Sequence, residues 1–324
     1  MKTITYTTSA YNKSDIENIE EISTTYTFLT NEIGDLLLPT AYLPKSIGGE
    51  IEGVQGDVGN LSDSRILSAH IIREGVKYIE KGGTIIDIGA HMGTMSMFLG
   101  KYLSTQGGGK LIAIEASPQN FPCLKHNIAA NVPPNVETTV INAACVDSIS
   151  MGSGSIDFAV HELIDRDDPK TTGQYAISST NTTNLYYRVP VVTIDSLDLE
   201  KVDLIKIDAE GCDLMVLMGA YETIKRCRPV IIFEHDLEAE ISHNPTLQEI
   251  ATQGHPRGYG GWGSVNAKNY EQILQHSHLA KIVDYIQSIP FESDTQLAAY
   301  ISPIYKVNDW CIRIAPYIMG IEKQ

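Results

Sequence analysis

The chain has 324 residues, 43% apolar and 20% charged, which bounds it to one large globular domain or two small ones. A net charge of −16 with no basic cluster argues against nucleic acid as a partner and reads as solubility. No apolar run approaches the roughly 20 residues of a membrane span, and MKTITYTTSAYNKSDIENIEE lacks the apolar centre of a signal peptide, so a cytoplasmic location is expected.

Five cysteines (Cys123, Cys145, Cys212, Cys227 and Cys311) are scattered and form no C-x-x-C pair. That pattern favours reduced thiols over a disulfide framework or a zinc site. Residues 1–60 read as an N-terminal extension that caps the core or joins a homodimer contact. Alternating β-branched and aromatic residues predict a strand over Glu21 to Leu29, and a second strand is expected over Asp35 to Leu38, stopped by Pro39. Glycines 48, 49, 53, 56 and 59 make the next stretch loop-rich. A helix is predicted from Ser62 or Asp63, with Ile66, Leu67, Ile71, Ile72, Val76 and Ile79 at helical spacing and Lys81-Gly82-Gly83 as its end.

TIIDIGAHMG, Thr84 to Gly93, then reads as strand, glycine turn and helix start. Lys110 to Glu115 is a short buried strand. Ser117-Pro118 opens the next helix, with Pro118 at its first position and Phe121, Leu124 and Ile128 as its apolar face. Val136 to Ala144 is a third strand. The βαβαβ order predicts a parallel, doubly wound sheet. Residues 148–188 interrupt it with a strand over Ser155 to Val160 and polar sequence, a surface insertion or β-hairpin. Val189 to Ile194 is a short strand, Val202 to Asp208 a buried one, CDLMVLMGAYETIKR a helix, and Pro229 to Glu234 a further buried strand. A helix over Leu247 to Thr252 precedes the Gly-rich aromatic stretch HPRGYGGWGS. Residues 271–289 begin helical and end as a strand, and Asp309 to Ala315 is the last strand. Residues 61–324 are thus expected to form one α/β domain.

In an open parallel sheet, ligands sit beyond the carboxyl ends of the strands. Four strands end there in acids: Asp87, Glu115, Asp208 and Glu234. Such a row costs desolvation and repulsion unless something positive or hydrogen-bonding lies among it. The turn spacing is G-x-x-x-G, and His91 stands where a dinucleotide fingerprint needs its second glycine. This disfavours NAD and favours S-adenosylmethionine (SAM), which has no pyrophosphate to cradle. The candidate cofactor residues are Asp87, Gly89, Ala90, His91, Gly93, Glu115, Ala116, Ser117, Asn142, Asp147 and Asp208. Glu115, 28 residues beyond Asp87, can accept from both ribose hydroxyls. Asp87 either meets the ligand or bonds the turn's N–H groups. Asn142 flanks the adenine position, and Asp147 can accept from the adenine amino group.

DIGAHMG, IEASPQNFPCLKHNIAAN, VPVVTIDSL, KIDAEGCDLMVLMGA and PVIIFEH together resemble the FkbM-type SAM-dependent methyltransferases, over residues 83–235. The resemblance implies a Rossmann-like class I methyltransferase sheet, mostly parallel with its last strand antiparallel, and helices on both faces. The N-terminal extension would add some β-structure. It also implies methyl transfer from SAM to a small-molecule or glycan acceptor, through a hydroxyl of a sugar or glycosylated metabolite. Two departures are an EAS where the family has Glu-Pro, and poor matching before and after the core, where acceptor choice lies. A base is needed to take the hydroxyl proton, and Asp208 or His235 is the candidate. A variant has Asp208, Glu210 and Glu234 or Asp236 hold a Mg²⁺-like ion. Tyr259 and Trp262 are candidates to stack on an acceptor ring. The competing readings are a non-catalytic SAM-binding regulator, and methylation of a nitrogen or of nucleic acid.

Overall fold

The structure, a computed structural model, describes residues 2–30, 34–40, 76, 79, 81–160, 184–209, 212–234, 245–252, 276, 281–282, 284–285, 288–289 and 310–314. The side chains of 234, 245, 248, 251, 252 and 310–314 fall outside that description. The elements in chain order are β1 (Thr3–Asn12), β2 (Asp15–Thr30), β3 (Asp35–Pro39), β4 (Thr84–Ile88), α1 (Thr94–Thr105), β5 (Gly109–Glu115), α2 (Phe121–Asn131), β6 (Val136–Asn142) and β7 (Ala144–Cys145). They continue as α3 (Ser148–Met151), β8 (Ser155–Ala159), β9 (Leu185–Val192), β10 (Leu204–Ile207), α4 (Asp213–Met218), α5 (Tyr221–Cys227), β11 (Val230–Glu234), α6 (Pro245–Thr252) and β12 (Trp310–Ile314).

One sheet has the order β12-β11-β10-β4-β5-β6. Its strands run parallel except β12, which is antiparallel to β11. β4 is buried at every residue, as expected of a central strand covered on both faces. The period of two along each strand divides the core between those faces. Ile85, Leu111, Leu204 and Ile232 pack with Leu99 and Leu103 of α1 on one side. Ile86, Ile112, Ile205, Ile231 and Phe233 pack with Val216, Leu217 and Ile224 of α4 and α5 on the other. This is the Rossmann-like arrangement expected, with the last strand antiparallel. The chain runs outward from β4 through β5 to β6, then returns to build β10 and β11 on the opposite side. Strand order reverses between β4 and β10, and the crevice beyond their carboxyl ends is the topological switch point.

The second sheet has the order β3-β2-β1-β9-β7, with β8 on β9. It unites the N-terminal segment with the arms of the insertion, β8 and β9, which pair antiparallel. The predicted strands over Glu21 to Leu29 and Asp35 to Leu38 lie within β2 and β3. β1 was not expected: its Thr- and Ser-rich sequence gives little hydrophobic alternation.

Several boundaries move for physical reasons. The strand predicted to reach Ala144 ends at Asn142. The chain changes sheet at Ala143, whose N–H still bonds Glu115 O at 3.2 Å, while Val146 N–H bonds Val192 O at 2.9 Å. Ser117-Pro118 opens a turn rather than the helix, and α2 begins at Phe121 with Pro122 in its first turn. The helix predicted over CDLMVLMGAYETIKR is two, α4 and α5. A Cβ on Gly219 would lie 2.0 Å from the Val146 carbonyl oxygen, so the chain bends there against the segment that follows β7. The strand predicted from Val189 begins at Leu185, its inward residues Leu185, Tyr187, Val189 and Val191 all buried. At the end of 271–289, residue 288 is still helical where a strand was expected. Of the predicted helix from Asp63, Val76 and Ile79 are described, both buried against the α1 side of the sheet. Cys123, Cys145, Cys212 and Cys227 are free thiols. Among the described residues no helix is long and apolar enough to cross a membrane.

Candidate functional site

The glycine turn closes the carboxyl end of β4. Gly89, His91 and Gly93 all have positive φ, at 66°, 51° and 87°. Glycine adopts that region freely, and histidine tolerates it at a cost. Both flanking strands pin the turn. Ala90 N–H bonds Ile114 O at 3.0 Å, and Asp208 N–H bonds Ile88 O at 3.1 Å. A Cβ on Gly89 would lie 1.8 Å from the Asp208 carbonyl oxygen, so the turn fits only as glycine. Gly93 precedes α1 and faces Leu124 of α2, whose Cδ1 would be 2.9 Å from an added Cβ.

The four strand-end acids lie on adjacent strands, β11, β10, β4 and β5. Lys206 answers the repulsion such a row implies. It is buried on β10, in register with Asp87 of β4. Its ammonium is 3.1 Å from Asp87 Oδ1 and 3.6 Å from Asp208 Oδ2. It also donates to the Gly89 carbonyl at 3.1 Å and the Ile88 carbonyl at 3.4 Å. One buried cation therefore ties the turn, the acid beneath it and the acid beside it. The sequence carried no expectation for Lys206, although a lysine inside the apolar run VDLIKID was a usable signal.

Asp87 corrects an expectation. It is fully enclosed, with its second oxygen accepting from Ser96 Oγ of α1 at 2.5 Å. It neither lines the crevice nor accepts from the turn's N–H groups, because its side chain points into the α1 face. Asp208 stands at the edge, with its side chain 26% exposed.

Glu115 is 5% exposed and organises two loops. Oε2 accepts from the His91 N–H at 2.8 Å, and Oε1 from the Ser117 N–H at 2.9 Å and Asn120 Nδ2 at 3.4 Å. Burial pushes its carboxyl above the ordinary value, against the lowering effects of His91 and of these hydrogen bonds. A carboxylate oxygen can take two donors, and Oε2 accepts one from the His91 N–H. The glycine cradle and this acceptor fit an adenosine-containing cofactor. Ser117 is buried, and its hydroxyl accepts from the N–H groups of Gln119 and Asn120 at 3.3 and 3.4 Å. Asn142 donates to the carbonyls of Glu115 and Ala116 at 2.8 and 3.2 Å, shaping the exit of β5. Asp147 caps α3 by accepting from the Ser150 N–H at 2.6 Å. Ala116 remains half-buried beside Glu115.

His235, Glu210, Tyr259 and Trp262 lie outside the described residues, as does the side chain of Glu234. Among the described residues no three His, Cys, Asp or Glu side chains converge as a metal site. Among the described residues, Lys206 brings a positive charge to Asp208.

A family model described as the methyltransferase FkbM domain matches residues 87–259, more than half of the chain. The chain belongs to the FkbM methyltransferase family. That stretch of the FkbM domain contains the glycine turn, Glu115, Lys206 and Asp208. No curated protein matches the chain. Among solved structures it is similar to a methyltransferase FkbM from Methylobacillus flagellatus KT, with 18% identity and a TM-score of 0.31 over 48% of this chain and 33% of that one. It thus spans about a third of that protein. It is also similar to the O-methyltransferase TomG from Streptomyces achromogenes, described as involved in tomaymycin synthesis and in complex with SAM, with 13% identity and a TM-score of 0.34 over 72% and 74% of the two chains. A third is a precorrin-6y C5,15-methyltransferase from Geobacter metallireducens GS-15, with 15% identity and a TM-score of 0.30 over 58% and 69%.

Proposed function

We propose that the protein is a SAM-dependent O-methyltransferase whose acceptor is a hydroxyl of a sugar or of a glycosylated small metabolite. The observation that carries methyl transfer is the switch-point cluster: a glycine cradle at β4, a ribose acceptor at Glu115, and a partly exposed carboxylate at Asp208 on the next strand. When bound, SAM supplies an activated methyl group on a sulfonium. The chain's residues have the remaining tasks. The Gly89 to Gly93 turn and Glu115 hold the adenosine end. Lys206 fixes the turn and Asp208 relative to each other. Asp208 receives the hydroxyl proton as the acceptor's O–C bond forms and the donor's S–C bond breaks, leaving the methyl ether and S-adenosylhomocysteine. The choice of a sugar hydroxyl rests on the family resemblance, with Tyr259 and Trp262 as the sequence's candidates to stack on the ring.

The test is transfer of labelled methyl from SAM to a panel of free and glycosidic sugars, with wild type and Asp208→Asn. Wild type should methylate a member of the panel. Asp208→Asn should lose turnover by about 10²-fold or more, the usual contribution of a positioned base, while its calorimetric Kd for SAM stays near wild type. An unchanged kcat in Asp208→Asn would remove Asp208 from the mechanism.

A further inference from the structure

The second sheet is tied to both loops that shape the cofactor crevice. Tyr26 of β2 is 1% exposed, and its hydroxyl donates to the Gln119 carbonyl at 2.6 Å. Gln119 lies in the Ser117 to Asn120 turn, which supplies two donors to Glu115 Oε1. Asn127 of α2 is 1% exposed. Its Oδ1 accepts from the Leu37 N–H of β3 at 2.6 Å, and its Nδ2 donates to the Leu37 carbonyl at 3.2 Å and the Met92 carbonyl at 2.8 Å. Met92 follows His91, the residue whose N–H bonds Glu115 Oε2. One buried side chain thus reaches each arm of the Glu115 clamp from the N-terminal strands or their docking helix.

The docking has a simple geometry. Asn127 and Asn131 stand four residues apart on α2, about 6 Å along a helix. Asp35 and Leu37 stand two apart on β3, about 6.7 Å along a strand. The near match lets each asparagine accept from one N–H and donate to the carbonyl of the same residue, with Asn131 bonding Asp35 at 3.0 and 2.8 Å. The helix so covers an edge of β3 that would otherwise be open for pairing. Asn131 also donates to the Asn127 carbonyl, and it bonds neither crevice loop in this structure.

We propose that Tyr26 and Asn127 are positioning residues for the cofactor, and that the N-terminal strands brace the two loops of the SAM site. This rests on the SAM-binding reading above. The experiment is calorimetric SAM binding to the full chain as wild type, Tyr26→Phe, Asn127→Ala and Asn131→Ala, each also followed by thermal unfolding without ligand. Tyr26→Phe keeps the ring and loses only the hydroxyl, and should raise the Kd for SAM measurably, by at most about fivefold, the full worth of one net hydrogen bond. Asn127→Ala should raise it at least as much. Asn131→Ala should lower Tm and leave the Kd unchanged, which separates positioning from stability. Wild-type Kd in Tyr26→Phe and Asn127→Ala, or equal weakening in all three variants, overturns the inference. If Tyr26→Phe does not fold, Asn127→Ala decides, and failure of both to fold assigns them to core packing alone. A wild type that does not bind SAM removes the functional reading itself, and this inference with it.

Discussion

Lys206 and Asp87 form a pair whose cost and benefit both come from burial. The ammonium is 5% exposed and the carboxylate fully enclosed, at 3.1 Å. Removing one member of such a pair leaves a charge without compensation, typically a loss of about 3–5 kcal/mol, whereas replacing both can be close to neutral. Lys206→Met should therefore lower the unfolding free energy by that order, and Lys206→Met with Asp87→Asn should recover a large part of it. Urea denaturation of the two single variants and the double closes the cycle. Additive losses would mean the two residues are not coupled. Asp87 was legible as a strand-end acid, but its partner was not. Which residue of β10 meets it depends on strand register, and a slip of one residue would turn Lys206 to the opposite face. Register is set by packing along the whole strand, so the sequence around Asp87 could not show that this acid is enclosed rather than at the ligand.

Gly82 and Gly89 look alike in sequence, each a glycine beside β4 with a positive φ, at 73° and 66°. Their surroundings separate them. An added Cβ meets nothing within 4 Å at Gly82, but at Gly89 it would lie 1.8 Å from backbone of the strand-end Asp208. Gly82→Ala should cost only the left-handed strain, about 1–2 kcal/mol, and leave SAM affinity unchanged. Gly89→Ala must also push the turn away from β10, moving the cradle relative to Asp208 and Lys206. Its Kd for SAM should rise about tenfold or more, equivalent to at least about 1.4 kcal/mol. Calorimetry on both variants checks the contrast, and equal affinities would show that the turn tolerates displacement. The turn and its two flanking elements were readable because apolar run, glycines and helical periodicity are local signals. The α2 start was misplaced because Pro118 mimics a first helical residue, while Ser117 and its bonds hold a separate turn there.

The parallel sheet was legible because its strands are buried on both faces and so appear as short apolar runs. The second sheet was not, because it is assembled from segments far apart in the chain. Tyr11 of β1 pairs with Tyr186 of β9, and no local pattern announces that contact. Its underside is nevertheless continuous with the rest of the protein. Tyr26, Leu29, Leu36, Leu37 and Leu38 pack with Met92, Met97 and Cys123, while Ala10, Tyr187 and Val189 pack with Ala144, Val146 and, next to Glu115, Ala116. Detaching the N-terminal strands would expose both clusters, at roughly 25 cal/mol for each Å² of apolar surface, together with the buried bonds of Tyr26 and Asn127. The strands and the parallel sheet should therefore unfold together. Scanning calorimetry of the full chain should give one transition with equal calorimetric and van't Hoff enthalpies. A separate, earlier transition that Tyr26→Phe shifts and Lys206→Met does not would instead show two independently folding units, with the cofactor crevice assembled between them.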